Sequence, residues 1–431
     1  MSEDKFDAIV VGGGLAGISA SIMMAREGLD VLLLERGTEF GGKNMTGGRL
    51  YGHSMEKILP DFAKEAPIER IVKKEKISLM TKDSSLDIQF ASKKLSDKND
   101  NASYIILRSK FDKWFSQKAE QEGVACITDI KVDNCIVKDG KVIGISAAGE
   151  EMFADVVILA DGVNSLLAQD LGMKQELKPN QVAVGAKEII KLDEEIINQR
   201  FGLRENEGMS WLSAGNPTDG SFGGGFIYTN KDTVSVGIVA TLSDIGHTEI
   251  SVAKLLDNFK NHPCVAPFLE GGQTAEYSAH LVPEEGLAMV PELYRDGVLV
   301  TGDAAGFCIN LGFTVRGMDF AIESGRLAAQ AVIRAHKLEN FSKEALSFYK
   351  TLLDGSFVMK DLAISKGFPT LLSQRQIFED LPETADDIAS KIFTVDSKGS
   401  KGLMMDILES IAARTSAREL VDFAGILLEA F

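Results

Sequence analysis

The chain has 431 residues, enough for two or three domains, or for one nucleotide-binding domain with a large insertion. Its 46 lysines and arginines face 63 aspartates and glutamates, and the net charge of -17 opposes a nonspecific hold on nucleic acid. The four cysteines lack C-x-x-C spacing and the five histidines lack metal spacing, so we expect no metal site and a reduced, cytoplasmic setting. No apolar run reaches the ~18 residues of a membrane span, and the charged first residues argue against a signal peptide.

The chain opens with a strand, a glycine turn and a helix. Phe6 to Val11 is an apolar run of strand type that leads into a G-x-G-x-x-G sequence. Gly12 permits a tight turn, Gly14 lets a pyrophosphate approach the backbone, and Gly17 lets the helix pack on the strand. A second strand ends at Glu35, at the ~20-residue offset where an acid binds ribose hydroxyls. This order of elements predicts a site for the ADP half of a dinucleotide.

A polar, glycine-dense loop follows the ribose acid and reaches Arg49. Its length and position favour contact with the rest of the nucleotide, with Arg36, Lys43 and Asn44 as candidates, over a flexible surface excursion.

The next segment predicts a hairpin and an aromatic helix. Ile77 to Ala91 alternates apolar and polar residues around a turn at residues 83–85. The charged segment Lys73 to Lys76 is interpreted as a solvated face, with a docking patch as the alternative. Arg108 begins an amphipathic helix whose aromatic residues are expected in the core.

Two buried strands are predicted to end in acid-bearing turns. Phe153 to Ala160 leads to Asp161 and Gly162, and the strand from 297 to 301 leads to Gly302 and Asp303. Polar residues at the carboxyl end of a buried strand point at the ligand crevice. We therefore expect the later strand to rejoin the first domain.

Between these strands the pattern changes to short β segments separated by glycine and asparagine turns. We expect an inserted, mostly antiparallel domain over the reactive end of the cofactor. A long helix follows from Gly317 to Lys337, and the remainder is helical with breaks at Pro369 and Pro382. The predicted domains are 1–173 and 292–340 for nucleotide binding, 174–291 for the insert, and 341–431 for a helical region.

The acid-bearing turns point to a ligand longer than the ADP half of NAD. A nicotinamide dehydrogenase needs only the first motif, whereas a carboxylate on a second turn suits a polyol linker. FAD has such a linker, the ribityl chain. We therefore expect noncovalently bound FAD.

These motifs resemble the glutathione-reductase-like flavoproteins, in the branch of aromatic hydroxylases, geranylgeranyl reductases and electron-transfer-flavoprotein:quinone oxidoreductases. The sequences Lys43 to Gly48, Val282 to Glu284 and Asn310 to Asp319 are similar to the FixC flavoproteins of nitrogen-fixation electron-transfer complexes. The resemblance implies an α/β fold: a discontinuous, FAD-binding Rossmann domain, an inserted, mostly antiparallel β domain and a helical C-terminal region.

The resemblance also implies roles for single residues. Gly12, Gly14 and Gly17 would hold the pyrophosphate, Glu35 the adenosine ribose, Arg108 and Asp303 the linker, and Gly312 and Phe313 the pyrimidine edge of the flavin. The helix near Arg316 would aim its positive end at that edge, with an ordinary surface arginine as an equal alternative. Cys308 is interpreted as an apolar packer, with an active thiol as the alternative.

The implied function is electron transfer from an electron-transfer flavoprotein to a membrane quinone. The chain would act in a complex whose small ferredoxin-like subunit supplies the iron-sulfur cluster, in peripheral contact with the inner face of the cell membrane. Bifurcation of electrons by this complex stays open. No side chain need be catalytic, because the flavin carries the chemistry. A prenyl-lipid reductase and a flavin monooxygenase stay open as alternatives.

Overall fold

The computed structural model describes residues 5–44, 48–246, 250–395, 402–414 and 422–427. The strands are β1 Lys5–Val11, β2 Val31–Leu34, β3 Gly48–Tyr51, β4 Ile68–Met80, β5 Ser85–Ala91, β6 Ser103–Ile106, β7 Ala125–Ile127, β8 Val132–Lys138, β9 Lys141–Ala147, β10 Glu150–Leu159, β11 Val182–Lys191, β12 Glu207–Gly215, β13 Gly223–Thr229, β14 Thr233–Thr241, β15 Gln273–Pro283, β16 Tyr294–Arg295, β17 Val298–Val300, β18 Ile309–Asn310 and β19 Val315–Arg316. The helices are α1 Leu15–Ala25, α2 Arg108–Gln121, α3 Leu166–Asp170, α4 Glu194–Phe201, α5 Leu242–Ile245, α6 Val252–Asn261, α7 Ala266–Leu269, α8 Met318–Lys337, α9 Lys343–Leu346, α10 Phe348–Gly355, α11 Phe357–Ile364, α12 Phe368–Leu372, α13 Arg375–Phe378, α14 Asp380–Phe393 and α15 Leu403–Ala412.

The first sheet has the order β16-β17-β10-β1-β2-β7, with β9 and β8 paired beyond β10. β1 lies between β10 and β2, and β10 pairs in parallel with β17. The middle strands are buried on both faces, which is why they are continuous apolar runs. β17 therefore returns to the first sheet, as the sequence predicts.

Helices α1 and α8 pack closely against each other beside this sheet. A Cβ added to Gly325 of α8 would lie 2.1 Å from the carbonyl oxygen of Ala16 on α1. The contact requires glycine, and it brings the start of α1 against the helix that follows the β17 turn.

The second sheet has the order β15-β11-β14-β13-β12-β4-β6-β3, with β5 on β4. Its strands come both from residues 48–106 and from residues 182–283. The sheet therefore takes strands from both sides of the boundary predicted at residue 173. Helices α4, α6 and α7 cover its outer face, where Trp211 and Phe259 are buried.

The charged segment from Lys73 to Lys76 lies within β4, where Lys76 is buried and the other three residues are half-buried, so the predicted solvated face is wrong. Lys73 Nζ donates to the carbonyl oxygens of Leu95 and Ser96 at 2.8 and 2.7 Å. Lys76 Nζ lies 3.6 Å from the ring centroid of Trp211. Long aliphatic stems allow these lysines to pack within a sheet while their ammonium groups find partners.

The helical region is interrupted shortly before Pro369 and Pro382, as the sequence predicts: α11 ends at Ile364 before α12, and α13 ends at Phe378 before α14. Both prolines lie in the first turns of helices, α12 and α14. A first-turn residue needs no intrahelical N–H bond, so proline starts a helix there instead of ending one. None of the described helices has the length and apolar character needed to cross a membrane.

Candidate flavin site

The glycine turn after β1 contains two closely packed glycines and one that faces open space. A Cβ on Gly12, whose φ is 110°, would lie 2.2 Å from the carbonyl oxygen of Ala160, and one on Gly17 would lie 2.0 Å from that of Gly12. A Cβ on Gly14 would meet no atom within 4 Å. Gly12 and Gly17 are therefore needed by the protein itself, whereas the open side of Gly14 leaves room for a ligand at the N-terminus of α1.

The carboxylate of Glu35 joins the glycine turn to the next loop. Its Oε2 accepts a hydrogen bond from the N–H of Gly13 at 2.9 Å, and its Oε1 accepts one from Gly37 at 2.6 Å. Arg36 beside it is exposed, and it makes no ion pair or hydrogen bond with the part of the chain that the structure describes.

The loop after Glu35 is fastened to the start of α2. Arg108 Nε and Nη2 donate to the two carboxylate oxygens of Asp112 at 2.8 and 2.7 Å. Asn44 Nδ2 donates to the same carboxylate at 2.5 Å. The fully buried Asp112 was missed in the sequence, although its i,i+4 spacing from Arg108 was available as a signal. Lys43 is exposed, and Met45 to Gly47 lie outside the described residues.

The two acid-bearing turns lie side by side, because β10 and β17 are neighbours. Asp161 Oδ1 accepts a hydrogen bond from Ser165 Oγ at 2.9 Å. The carboxylate of Asp303 has no hydrogen-bond partner among the described residues. Gly162 and Gly302 both adopt positive φ, 84° and 65°, as tight turns require.

A buried lysine joins these turns. Lys174 Nζ donates to the carbonyl oxygens of Val163 and Ala304 at 2.6 and 3.0 Å, one from each turn. Burial lowers the pKa of Lys174 to about 8, although Asp161 and Asp303 oppose that change. Sequence reasoning missed this residue, since a single lysine in a loop carries no local signal.

Asp303 lies within electrostatic range of three basic residues. Burial raises the pKa of its carboxyl group, while His280, Arg108 and Lys174 oppose the increase. Burial lowers the pKa of His280, Arg108 and Arg36 lower it further, and Asp303 opposes them. His280 lies on β15, so the second sheet contributes to the same cluster.

The turn between β18 and β19 carries the predicted pyrimidine contacts. Gly312, with φ 77°, donates its N–H to Asn310 Oδ1 at 2.9 Å. The backbone N–H of Phe313 has no partner in the described part of the chain, and its ring is half exposed.

Arg316 is not an ordinary surface arginine. Its guanidinium donates to Asp319 at 2.6 and 2.8 Å and to Asp361 at 2.5 Å, beneath the rings of Phe320 and Phe357. The positive end of α8 therefore lies beside an arginine whose charge is already balanced.

The Cys308 side chain is buried. Burial, followed by the nearby carboxylates of Asp303, Glu284 and Asp319, raises the pKa of this thiol well above its usual value. A thiol in that environment packs as an apolar group. Among the described residues, no group of three or more histidine, cysteine, aspartate or glutamate side chains could hold a metal ion.

The inner face of the second sheet is defined as the face that carries Lys187 and His280. It is turned toward Asp303 and the basic residues around it. Lys187 is fully buried, and burial lowers its pKa to about 7, with Glu276 opposing and Arg108 reinforcing the change. Ser278 pairs with Lys187 across β15 and β11, and its buried hydroxyl has no partner among the described residues.

Comparisons with known proteins identify the family. One family model, FAD dependent oxidoreductase, matches residues 7–169, and a second, ETF-QO, ubiquinone-binding, matches residues 182–282. The probable electron transfer flavoprotein-quinone oxidoreductase YdiS of Escherichia coli (strain K12) is 50% identical, over 92% of this chain and 92% of its own. Protein FixC of the same strain is 48% identical, over 95% of each chain. The chain belongs to the FixC family of FAD-dependent oxidoreductases.

The family assignment confirms the resemblance inferred from the sequence and the expected cofactor, FAD. A geranylgeranyl bacteriochlorophyll reductase-like protein from Thermoplasma acidophilum superposes with a TM-score of 0.73 at 23% identity, covering 97% of this chain and 99% of that one. The flavin-dependent brominase Bmp2 gives a TM-score of 0.64 at 16% identity, covering 95% and 100%. At these identities the likeness shows the fold, and the predicted fold class is confirmed.

The site has the features that FAD requires. Gly14 leaves open space at the start of α1, and Asp303 presents a carboxylate that accepts no hydrogen bond from the described residues. The unpaired N–H of Phe313 is a free donor on the turn before α8. An anion site, a polyol acceptor and a carbonyl-binding donor match the pyrophosphate, the ribityl chain and the pyrimidine ring respectively.

Proposed function

We propose that this chain uses FAD to pass electrons from an electron-transfer flavoprotein to a membrane quinone. The observation that carries the proposal is the position of the segment matching the ETF-QO, ubiquinone-binding model. That segment, residues 182–282, forms β11 to β15, whose inner face is turned toward the candidate flavin site. The name of the relative that is 50% identical describes the same reaction.

The cofactor contacts form part of this proposal. Bound FAD supplies the two-electron carrier for the chemistry. Gly14, between Gly12 and Gly17, and the N-terminus of α1 bind the pyrophosphate; Glu35 binds the ribose, and Arg108 and Asp303 bind the linker. The turn at Gly312 and Phe313 donates to the pyrimidine edge. The remaining predicted contacts flank these groups: Arg36, Lys43, Asn44, Asp161, Gly162 and Gly302.

A row of side chains across the inner face offers a place for the quinone. It runs through Ser278, Lys187, Gly237, Phe226, Leu212, Ile77 and Ile88 on adjacent strands. The first two are polar and lie nearest the cofactor cluster, whereas the last four are apolar. A polar head group therefore fits at the Lys187 end, with its isoprenoid tail along the apolar end.

The apolar row reaches the surface at the edge strand β5. Ile88 and Phe90 are 68% and 55% exposed, and Leu86 on the same face is 40% exposed. Three exposed apolar side chains on one face of an edge strand suit contact with a lipid tail or a bilayer surface. We propose that the quinone tail leaves the protein here, which would set the orientation of peripheral contact with the inner face of the cell membrane.

The proposal includes a complex. The four cysteines lie at scattered positions and are free, so this chain has no cysteine framework for an iron-sulfur cluster. A small ferredoxin-like subunit would supply the cluster, together with the electron-transfer flavoprotein subunits. Whether such a complex bifurcates electrons depends on flavin potentials.

The test follows the flavin absorbance of the purified chain loaded with FAD. We expect NADH to leave the flavin oxidised, reduced electron-transfer flavoprotein to bleach it, and a short-chain quinone to restore the colour. Rapid bleaching by NADH alone would contradict the proposal. Oxygen consumption after that bleaching would then indicate a monooxygenase, and saturation of an added prenyl lipid would indicate a prenyl reductase.

A further inference from the structure

The two acid-bearing turns of the flavin site are joined by one side chain that no part of the proposed function uses. Lys174 follows α3 and lies at the point where the chain leaves the first sheet for the second. Its ammonium group is buried and donates to Val163 and Ala304, one carbonyl oxygen from each turn.

The position of this ammonium group is unusual because its hydrogen-bond partners are both main-chain groups. The carboxylates of Asp161 and Asp303 lie within electrostatic range of Lys174 and make no hydrogen bond to it. Its charge is therefore not neutralised by a direct ion pair. A buried charge of this kind costs free energy, and it stabilises the ionised form of a nearby carboxylate.

The positive charge of Lys174 favours the ionised form of Asp303. A carboxylate that accepts hydrogen bonds from polyol hydroxyls must be ionised, and burial of Asp303 opposes ionisation. Three basic residues favour the ionised form: Arg108 from α2, His280 from β15, and Lys174. Because burial lowers the pKa of His280, only Arg108 and Lys174 carry full charge at neutral pH.

We infer that Lys174 is a positioning residue whose ammonium group holds the two turns together and supplies positive charge beside Asp303, so that FAD binding depends on the charge of this lysine. The inference rests on the FAD contact proposed for Asp303. It does not depend on the identity of the electron donor or acceptor.

The pH dependence follows from the ionisable groups that face the cluster. Lys174 loses its proton near pH 8. Burial raises the pKa of Asp161 and of Asp303 and lowers the pKa of His280, while Arg108 stays charged. The thiols of Cys135 and Cys308 have raised pKa values and do not titrate in this range. Lys187 and Glu284, whose pKa values are about 7, also titrate at the lower end of this range, so the change in FAD affinity is assigned to Lys174 by comparing the unaltered chain with Lys174→Arg.

The experiment measures the dissociation constant of FAD for the full-length apoprotein between pH 7 and pH 9.5, by flavin fluorescence. For the unaltered chain we expect affinity to fall above pH 8, by up to about tenfold per pH unit for a single proton. Lys174→Met should bind FAD about ten- to a hundredfold more weakly at pH 7, with no pH dependence. Lys174→Arg keeps its charge, so it should bind well and show a flat profile.

Lys191→Met is the matched control, because Lys191 is exposed on β11. It should reproduce the affinity and pH profile of the unaltered chain. Unfolding of the apoprotein is measured in parallel. If Lys174→Met does not fold, the pH profile of FAD affinity in Lys174→Arg tests the inference. A flat profile supports it, and a fall in affinity above pH 8 contradicts it.

A pH-independent FAD affinity in the unaltered chain, or an unchanged affinity in Lys174→Met, would overturn the inference. Asp303→Ala separates this failure from a failure of the proposed site. If Asp303→Ala binds FAD weakly while Lys174→Met binds it normally, the site stands and the role of Lys174 is wrong. If Asp303→Ala binds FAD like the unaltered chain, the proposed linker contact itself fails.

Discussion

The two sheets supply polar groups to the site in different ways. At the first sheet, turns at the ends of β1, β10 and β17 present backbone atoms and the carboxylates of Asp161 and Asp303. At the second sheet, Lys187, Ser278 and His280 project from the middle of strands. A turn needs glycine and an acid at fixed local offsets, whereas a sheet face is assembled by register between distant strands. The first kind of site can therefore be recognised from local sequence, and the second cannot.

The largest expected effect separates structural glycine from ligand-binding glycine in the first sheet. Gly17→Ala places a Cβ 2.0 Å from the carbonyl oxygen of Gly12, so we expect a loss of about 3 kcal/mol or more in the free energy of unfolding. Gly14→Ala meets no atom within 4 Å and should leave apoprotein stability nearly unchanged while weakening FAD binding. Denaturant unfolding of both apoproteins measures this difference. Equal destabilisation by the two substitutions would contradict it.

The next largest effect is a change in the pH dependence of stability, caused by Glu284 where the two sheets meet. Glu284 is buried directly after β15, and Thr241 Oγ1 of β14 donates to it at 2.7 Å. Burial raises its pKa to about 7 from an ordinary 4.5. The folded state therefore binds a proton that the unfolded state has lost, and stability falls as the pH rises from 4.5 to 7.

Glu284→Gln removes this titration and keeps the size of the side chain. Relative to the unaltered chain, the variant should gain about 3 kcal/mol in unfolding free energy between pH 4.5 and pH 8. Denaturant unfolding at several pH values measures the gain. Parallel pH profiles for the two proteins would show that Glu284 does not titrate as described.

A smaller effect tests the acid on the β17 turn. Asp303→Ala removes charge-assisted hydrogen bonds worth about 1.5–3 kcal/mol, so FAD affinity should fall about ten- to a hundredfold. The apoprotein should remain folded, because the carboxylate has no hydrogen-bond partner among the described residues. Titration with FAD and circular dichroism provide the two measurements. The colour should also leave the unaltered protein on acid precipitation, as expected of noncovalent FAD.

The smallest effect tests the edge of the second sheet. Ile88→Ser should raise the KM for a long-tailed quinone about fivefold, equivalent to about 1 kcal/mol of lost apolar contact. It should leave a short-chain quinone unaffected. Val137→Ser is the control, because Val137 is an exposed apolar residue on a strand of the first sheet. An equal change for both quinones would remove β5 from the proposed tail path.

The first sheet was largely predictable. β1, the return strand β17 and the long helix α8 agree with the sequence prediction, because each has its own apolar periodicity and its own turn. The glycine roles at Gly12 and Gly17 also follow from local backbone requirements. The hairpin of β4 and β5 was predicted, but its membership of the second sheet was not, since alternation fixes which side chains share a face and does not identify the partner strand.

The sequence by itself determined the fold class, the cofactor and the order of the cofactor turns, because these depend on short-range patterns of glycine, acid and apolar residues. The tertiary structure alone brought Lys174 to both acid-bearing turns and placed His280 beside Asp303. It also buried Asp112 beneath Arg108. The physical reason is that the charge state and hydrogen bonding of a side chain depend on burial and on neighbours distant in sequence, which the sequence near that residue does not encode.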